Sequence, residues 1–131
     1  MCFVGSVGHT LLQALHASRN IVSNQKEICE KHNVVPFLCQ SDDKLGIAIE
    51  TIGQLPINGL RHSPENGTCG WYIWCGEELG KDTDFFKPLH VSHIENYIPE
   101  IKKYLALPPG YRFLVAGDYE DVWYDPNLVC D

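Results

Sequence analysis

The chain has 131 residues, of which 44% are hydrophobic, 21% charged and 11% aromatic. This length suits one domain with its own core, and the composition excludes a disordered chain. The formal net charge is −7, which argues against binding to nucleic acid, because that binding depends on Lys and Arg neutralising phosphates.

The negative charge is concentrated in the second half of the chain. Residues 1–66 carry five Lys and Arg against six Asp and Glu, whereas residues 67–131 carry five against eleven. Opposite charge speeds association between proteins, so this asymmetry predicts a basic protein partner. A surface that is acidic only for solubility is the alternative.

Cysteine usage and the N-terminus bear on the compartment. The six cysteines are scattered and form no Cys-x-x-Cys pair, so neither a zinc knuckle nor a redox motif is predicted. Residues 1–17 are apolar but lack a positively charged start, contain His9 and His16, and are too short to span a bilayer. We therefore expect a cytoplasmic protein with reduced thiols, no cofactor and no membrane contact, with secretion as the alternative.

The first predicted elements lie before residue 53. Residues 1–20 read as an N-terminal arm or short helix, and residues 21–32 as a helix, with Asn24 and Glu27 spaced as a capping box and Asn33 as its stop. Residues 34–38 favour a short strand that Pro36 confines to a sheet edge. Residues 45–52, rich in isoleucine, predict another strand.

The middle of the chain combines turn residues with an aromatic strand. Residues 53–70 contain many Gly, Pro and Asn residues, which predict a long loop or a series of turns. Residues 71–75 place Trp71, Ile73 and Cys75 on one side and Tyr72 and Trp74 on the other. Both sides are apolar, as is typical of a central strand.

The last third predicts short helices and a hairpin. Residues 88–104 favour one or two helices interrupted before Pro99, and residues 111–115 and 120–124 favour strands joined through Gly117 and Asp118. Helices and strands mix without a regular βαβ alternation. This indicates an α+β fold in a single domain over residues 21–131, with a mixed or antiparallel sheet, a few short helices and a C-terminal hairpin.

An enzyme is the weaker of two functional hypotheses. His62, His90 and His93, with a nearby cysteine or carboxylate, could form a small metal- or cysteine-dependent hydrolase. Two histidines three residues apart do not complete a ligand set, however, and no family-type sequence surrounds any cysteine. We therefore predict no metal site and no catalytic residues.

A binding surface is the hypothesis that the residues favour. Large rings stand beside carboxylates in two places, and this mixture is typical of interaction hot spots in which aromatic anchors are surrounded by charge. The candidates for contact with a partner are Trp71, Trp74, Glu77, Glu78, Glu120, Asp121 and Trp123.

The stretch from residue 57 to residue 125 resembles the immunity protein 33 family of bacterial polymorphic toxin systems. The likeness is carried by Arg61, Pro64, Asn66, Gly70-Trp71, Gly76-Glu77-Glu78, Phe85-Phe86, Pro88-Leu89-His90, His93, Leu105, Leu107-Pro108-Pro109-Gly110 and Tyr119-Glu120-Asp121-Val122-Trp123. The Gly-Trp pair followed by Gly-Glu-Glu is its most specific element.

The resemblance implies a cytoplasmic, single-domain α+β protein that binds and neutralises a cognate toxin and has no assigned catalytic residues. Inhibition would then occur by occlusion, with an acidic, aromatic-rimmed patch docked onto a basic cleft. The resemblance leaves the first 20 residues unexplained, and it gives no role to Cys69 or Cys75.

Overall fold

The structure, a computed structural model, describes residues 16–65 and 67–129, with side chains described from residue 24 onward. One α-helix precedes six strands: α1 (His16–Lys31), β1 (Lys44–Ile47), β2 (Ile57–Arg61), β3 (Thr68–Cys75), β4 (Lys87–His90), β5 (Tyr111–Ala116) and β6 (Tyr119–Tyr124). Short 3-10 helices span Ile49–Thr51, Val91–Asn96, Pro99–Tyr104 and Pro126–Leu128. None of the helices in these described ranges is long and apolar enough to cross a membrane.

The six strands form one mixed sheet in the order β4-β1-β3-β2-β5-β6. Strands β1 and β3 are parallel, and every other neighbouring pair is antiparallel. The predicted α+β class and mixed sheet are therefore confirmed. Strands β1, β3 and β5 finish at the same end of the sheet, where β2, β4 and β6 begin.

Strand β3 lies at the centre of the sheet, as its two apolar sides predict. Trp71, Ile73 and Cys75 belong to the main core between the sheet and the helices. Trp74 points to the opposite face, where it packs with Leu60 and a smaller group of apolar side chains. Both faces of β3 are buried because a helical layer covers one and the residues around Phe85, Phe86 and Leu128 cover the other.

Several predicted boundaries are confirmed. Asn33 ends α1 in the left-handed conformation, with φ of 59°, and two helical segments stand on either side of the break before Pro99. The hairpin pairs β5 with β6 through Gly117 and Asp118. Helix α1 begins at His16, five residues before its predicted start, and the rest of the predicted arm, residues 1–15, lies outside the described residues.

The prediction of a strand over residues 34–38 is wrong. The described backbone there makes one long-range hydrogen bond to another backbone group, from Phe37 N to Ala106 O at 2.8 Å, and Pro36 has no N–H with which to extend a ladder. The strand predicted over residues 45–52 is also shorter than expected. It ends at Ile47 and is followed by the 3-10 helix Ile49–Thr51.

The prediction of a loop or turns over residues 53–70 is wrong in its middle, because β2 occupies an inner position of the sheet there. The residues that suggested turns have other roles. Asn58 donates its side-chain amide to the carbonyl oxygens of Pro56, Trp74 and Gly76 at 3.2, 3.3 and 2.8 Å. Gly59 leaves room for the ring of Phe113, which would lie 2.2 Å from a Cβ atom at that position.

Candidate partner-binding surface

Trp71 lies in the core and not on a surface, which corrects the expectation that its ring is available to a partner. It is 0% exposed, its indole N–H donates to Leu105 O at 2.9 Å, and its ring packs against Phe113 with centroids 5.5 Å apart. The physical reason is that β3 lies inside the sheet, where the side chains of this face pack against the helical layer.

The other two tryptophans differ in exposure. Trp74 is also buried, on the opposite face, against the edge of the Phe86 ring, so its expected exposure is corrected too. Trp123 is half-buried on the edge strand β6, and the Arg112 guanidinium carbon lies 5.4 Å from the centre of its ring. Of the three predicted rings, Trp123 alone keeps a surface that a partner could contact.

The predicted carboxylates remain at or near the surface. Glu77 and Glu78 follow the end of β3 and are exposed. Glu120 and Asp121 are the second and third residues of β6, with Asp121 exposed and Glu120 partly covered. Because neighbours on a strand point to opposite faces, Glu120 turns toward the helices and Asp121 away from them.

All four carboxylates lie toward one end of the sheet. The register aligns Cys75 with Ile57, Ile57 with Val115, and Val115 with Glu120. Three strand spacings of about 4.8 Å put the two acidic groups roughly 15 Å apart. One interface of ordinary size, about 800 Å² per partner, covers that distance.

The same end of the sheet carries exposed apolar side chains that the sequence analysis missed. Leu55 and Tyr119 are the most exposed of them, at 61% and 58%. We call this region the acidic end, and it comprises Ile49, Glu50, Leu55, Glu77, Glu78, Leu79, Asp118, Tyr119, Glu120 and Asp121. Leu55 directly precedes Pro56, and Leu79 directly precedes Gly80. A large apolar residue beside a turn residue is the sequence pattern that could have revealed these two positions.

Glu120 is held in place by two neighbours on the helical face. It accepts a short hydrogen bond from the Tyr104 hydroxyl and pairs with Lys31 Nζ at 3.1 Å. The hydrogen bond from Tyr104, followed by the bond and charge of Lys31, lowers the pKa of Glu120. Burial and the neighbouring Glu120 carboxylate raise the pKa of Tyr104. Glu120 therefore serves the fold as well as the acidic end.

The histidines of the enzyme hypothesis do not meet in one site. The rings of His90 and His93 are 5.8 Å apart, but His62 follows β2, which is separated from β4 by β1 and β3. Three strand spacings amount to roughly 15 Å. Across the described residues, no group of three or more His, Cys, Asp or Glu side chains is arranged to hold a metal ion.

The chain belongs to the Imm33-like domain family, which matches residues 24–125. No curated protein and no solved structure matches the chain. The family match begins within α1, so the likeness includes the helical layer as well as the sheet and the hairpin that carried the sequence resemblance. The protein is thus one of a family of immunity proteins with an α+β fold.

Proposed function

We propose that this protein neutralises a cognate bacterial toxin in the cytoplasm by binding it and covering its active cleft. The observation that carries the proposal is the family match over residues 24–125. Occlusion requires only a complementary surface. The proposed function therefore needs no catalytic residue, metal or cofactor in the inhibitor.

The acidic end is the surface that we propose for this contact. Its exposed apolar groups, Leu55, Leu79 and Tyr119, stand among carboxylates, and apolar anchors within a charged rim are the usual anatomy of a binding hot spot. Glu77, Glu78, Glu120 and Asp121 remain in the proposed surface. Trp123 stands beside them, whereas Trp71 and Trp74 are left out because they are buried.

The charge of the surface defines the partner that fits it. Among the carboxylates of the acidic end, Glu120 is paired with Lys31, whereas Glu77, Glu78 and Asp121 form no salt bridge within the described part of the chain. A basic cleft is the complementary surface, and long-range attraction between the two raises the association rate. The apolar contacts would then slow dissociation, and differences in affinity between related complexes arise mostly from the dissociation rate.

Capture from the native host tests the proposal, with the full chain as bait at low and at moderate salt. We expect to recover an enzyme at low salt, and less of it at moderate salt because ions screen the charges. The activity of that enzyme should fall when the bait is added. If no enzyme is recovered at either salt concentration, or if the recovered enzyme stays active in the complex, the proposal is wrong.

Paired charge reversals test the location of the surface. Glu77→Lys with Glu78→Lys should weaken binding by roughly 100-fold or more, because like charges across an interface cost several kcal/mol. Glu27→Lys with Glu30→Lys is the matched control, since it makes the same charge change at exposed positions of α1 and should leave binding within a few-fold. Equal losses in both variants would show that net charge, and not the acidic end, governs binding.

Two tyrosine variants, one inside the acidic end and one outside it, test the apolar part of the same surface. Tyr119→Ala should weaken binding about tenfold or more, as truncating an aromatic anchor does. Tyr97→Ala removes a comparably exposed ring outside the acidic end and should change little. An unchanged affinity in Tyr119→Ala would remove this residue from the proposed contact.

A further inference from the structure

Three cysteines surround a buried cation on the helical side of the sheet. Arg61 is 1% exposed, and no carboxylate among the described residues lies within salt-bridge distance of its guanidinium. Its charge acts on the thiols of Cys29, Cys39 and Cys69, but burial leaves the pKa of Cys29 raised and the neighbouring Cys69 thiol leaves that of Cys39 raised. Thiols are therefore among the acidic groups nearest to the positive charge of Arg61.

Two of these cysteines are neighbours. Cys39 lies in the segment between α1 and β1 and packs against the main core to which Cys69 of β3 belongs. The two side chains are close enough for each thiol to shift the pKa of the other, and the Cys39 thiol also donates to Leu105 O at 3.4 Å. Arg61 binds both residues, because its Nη2 lies 3.5 Å from Cys39 Sγ and its Nε donates to Cys69 O at 2.8 Å. The guanidinium thus holds the two cysteines beside each other.

Solvent reaches one thiol of the pair. Cys39 is half-buried and lines a cleft of about 360 Å³, together with Leu38, Val91, Ile94 and Leu105. Cys69 is 1% exposed and lies behind it. A small neutral molecule that enters the cleft therefore reaches Cys39 before it reaches Cys69.

The acid–base properties of the pair suit a nucleophilic sulfur. The interaction with Cys39, the backbone hydrogen bond from Trp71 and the charge of Arg61 together outweigh burial and lower the pKa of Cys69 to about 7. The same interaction raises the pKa of Cys39, because a proton held on Cys39 stabilises the neighbouring Cys69 thiolate. Transfer of that proton from Cys39 to Cys69 places the negative charge on the sulfur of the residue that lines the cleft. A thiolate is the form of cysteine that reacts with oxidants.

We propose that Cys39 and Cys69 form an oxidation site at which a hydroperoxide converts the two thiols into an intramolecular disulfide. Its geometry rests on Arg61, which contacts both cysteines, and on the cleft that Cys39 lines. The site lies near the start of β3, whereas Glu77 and Glu78 follow the end of that strand. The proposal is therefore independent of the proposed toxin contact.

The chemistry balances with hydrogen peroxide as the oxidant. The Cys39 thiolate attacks one peroxide oxygen and breaks the O–O bond, which gives a sulfenic acid and, after protonation of the leaving hydroxide, one water. The Cys69 thiolate then attacks the Cys39 sulfur and displaces the second hydroxide, which is also released as water. Two thiols lose two electrons and two protons, and one peroxide becomes two waters.

The remaining described cysteines are poorer partners. Cys29 is fully buried and donates its thiol to Ala106 O at 3.4 Å, and burial raises its pKa. Cys75 lies at the far end of β3 from Cys69, and burial raises the pKa of Cys75 as well. We therefore expect one disulfide and not a mixture.

Peptide mapping of the folded full-length protein tests the site. The protein is treated with a few equivalents of hydrogen peroxide, remaining thiols are alkylated, and it is digested with trypsin and chymotrypsin. Chymotrypsin cleaves after Trp71 and Tyr72, which separates Cys69 from Cys75. We expect the Cys39 and Cys69 peptides to be recovered joined, with a mass lower by two hydrogens, while Cys29 and Cys75 are recovered alkylated. The urea-unfolded chain should give mixed pairs.

Two serine variants separate the steps. In Cys69→Ser we expect Cys39 to stop at the sulfenic acid, which dimedone traps, and in Cys39→Ser we expect Cys69 to remain reduced. Near-ultraviolet circular dichroism confirms that each variant is folded, and the mapping of the unmodified protein needs neither variant. Free thiols at both positions after peroxide treatment, or the same mixed pairs in folded and unfolded protein, would overturn the proposal.

Discussion

Arg61 is a buried arginine that forms no salt bridge with any described residue. Removing a guanidinium from water is costly unless its N–H groups are satisfied. Arg61 donates to the carbonyl oxygens of Phe37, Leu105 and Leu107 through Nη1, at 2.7, 3.2 and 2.8 Å, and to Cys69 O through Nε. These acceptors come from three separate segments, so this side chain ties the segment after α1 and the segment after Pro99–Tyr104 to the sheet.

Replacing Arg61 tests this function in stability. Arg61→Ala should lower the free energy of unfolding by about 3–5 kcal/mol, because several buried carbonyl groups lose their donor at once. Arg61→Lys should fall in between, since a single ammonium cannot reach acceptors spread around a planar fork. Urea unfolding followed by tryptophan fluorescence measures both.

Arg112→Ala is the control for Arg61. Arg112 is half-buried, pairs with Asp125 at 3.2 Å and lies over the Trp123 ring. Its loss should cost about 1 kcal/mol. A loss in Arg61→Ala no larger than that of the control would show that the buried hydrogen bonds do not stabilise the fold as described.

The bond between Tyr104 and Glu120 gives the stability a defined pH dependence. Glu120 has a lowered pKa, so its contribution is present above the ordinary value of 4.5 and is lost as the pH falls through the lower folded value. Tyr104 has a raised pKa, so its contribution is present below the ordinary value of 10.0 and is lost as the pH rises above it. The bond therefore stabilises the fold most between these two limits.

Tyr104→Phe tests this pH dependence. Phenylalanine keeps the ring stacked on Phe113, where the centroids are 4.6 Å apart, and removes only the hydroxyl. The free energy of unfolding should fall by about 1–2 kcal/mol at neutral pH, and the difference from the parent protein should shrink in acid. Tyr119→Phe removes an exposed hydroxyl from the same hairpin and should stay within about 0.5 kcal/mol. A difference that persists unchanged in acid would contradict the assignment to Glu120.

At the scale of elements, strand β2 shows why composition misled the sequence analysis. Pro56, Asn58 and Gly59 are typical of turns, yet Pro56 directly precedes an inner strand and the other two belong to it. The asparagine is satisfied by carbonyl groups at the end of β3, and the glycine sits beneath a ring from β5. Such contacts come from segments 16 or more residues away, so no local pattern could indicate them.

Gly59 provides the test at this scale. Gly59→Ala places a Cβ 2.2 Å from Phe113 Cε2, and that ring cannot yield because Trp71 and Tyr104 pack against it. We expect a loss of about 1–3 kcal/mol in the free energy of unfolding, the usual cost of overpacking a core. Thermal or urea unfolding measures it.

Gly46→Ala is the matched control for Gly59→Ala. Its Cβ would meet the Tyr72 ring at 2.7 Å, but Tyr72 is half-buried and can shift toward solvent, so the loss should be smaller. If Gly46→Ala is the more harmful change, the rigidity of the Phe113 site is not the cause of the effect.

At the scale of the whole molecule, charge and apolar surface are distributed unevenly. The helices shield one face of the sheet, and the strand ends carry carboxylates with exposed Ile49, Leu55, Leu79 and Tyr119 between them. A second exposed apolar group, Val35, Phe37 and Leu38, lies in the segment after α1. The first group combines apolar anchors with charge, which is why the proposed contact is placed there.

The sequence by itself determined the α+β class, the central aromatic strand, the C-terminal hairpin and the break before Pro99. These features depend on periodicity, turn chemistry and the geometry of proline, all of which act within a few residues. The likeness to the immunity family also came from the sequence, through the spacing of Gly-Trp and Gly-Glu-Glu.

Only the tertiary structure decided which rings and thiols can act. It placed Trp71 and Trp74 in the core, brought the carboxylates to one end of the sheet beside unanticipated apolar groups, and set Cys39 against Cys69 next to Arg61. Burial and contact depend on which strands become neighbours and which face a helix covers. Those pairings join residues far apart in the chain, and a local sequence pattern does not encode them.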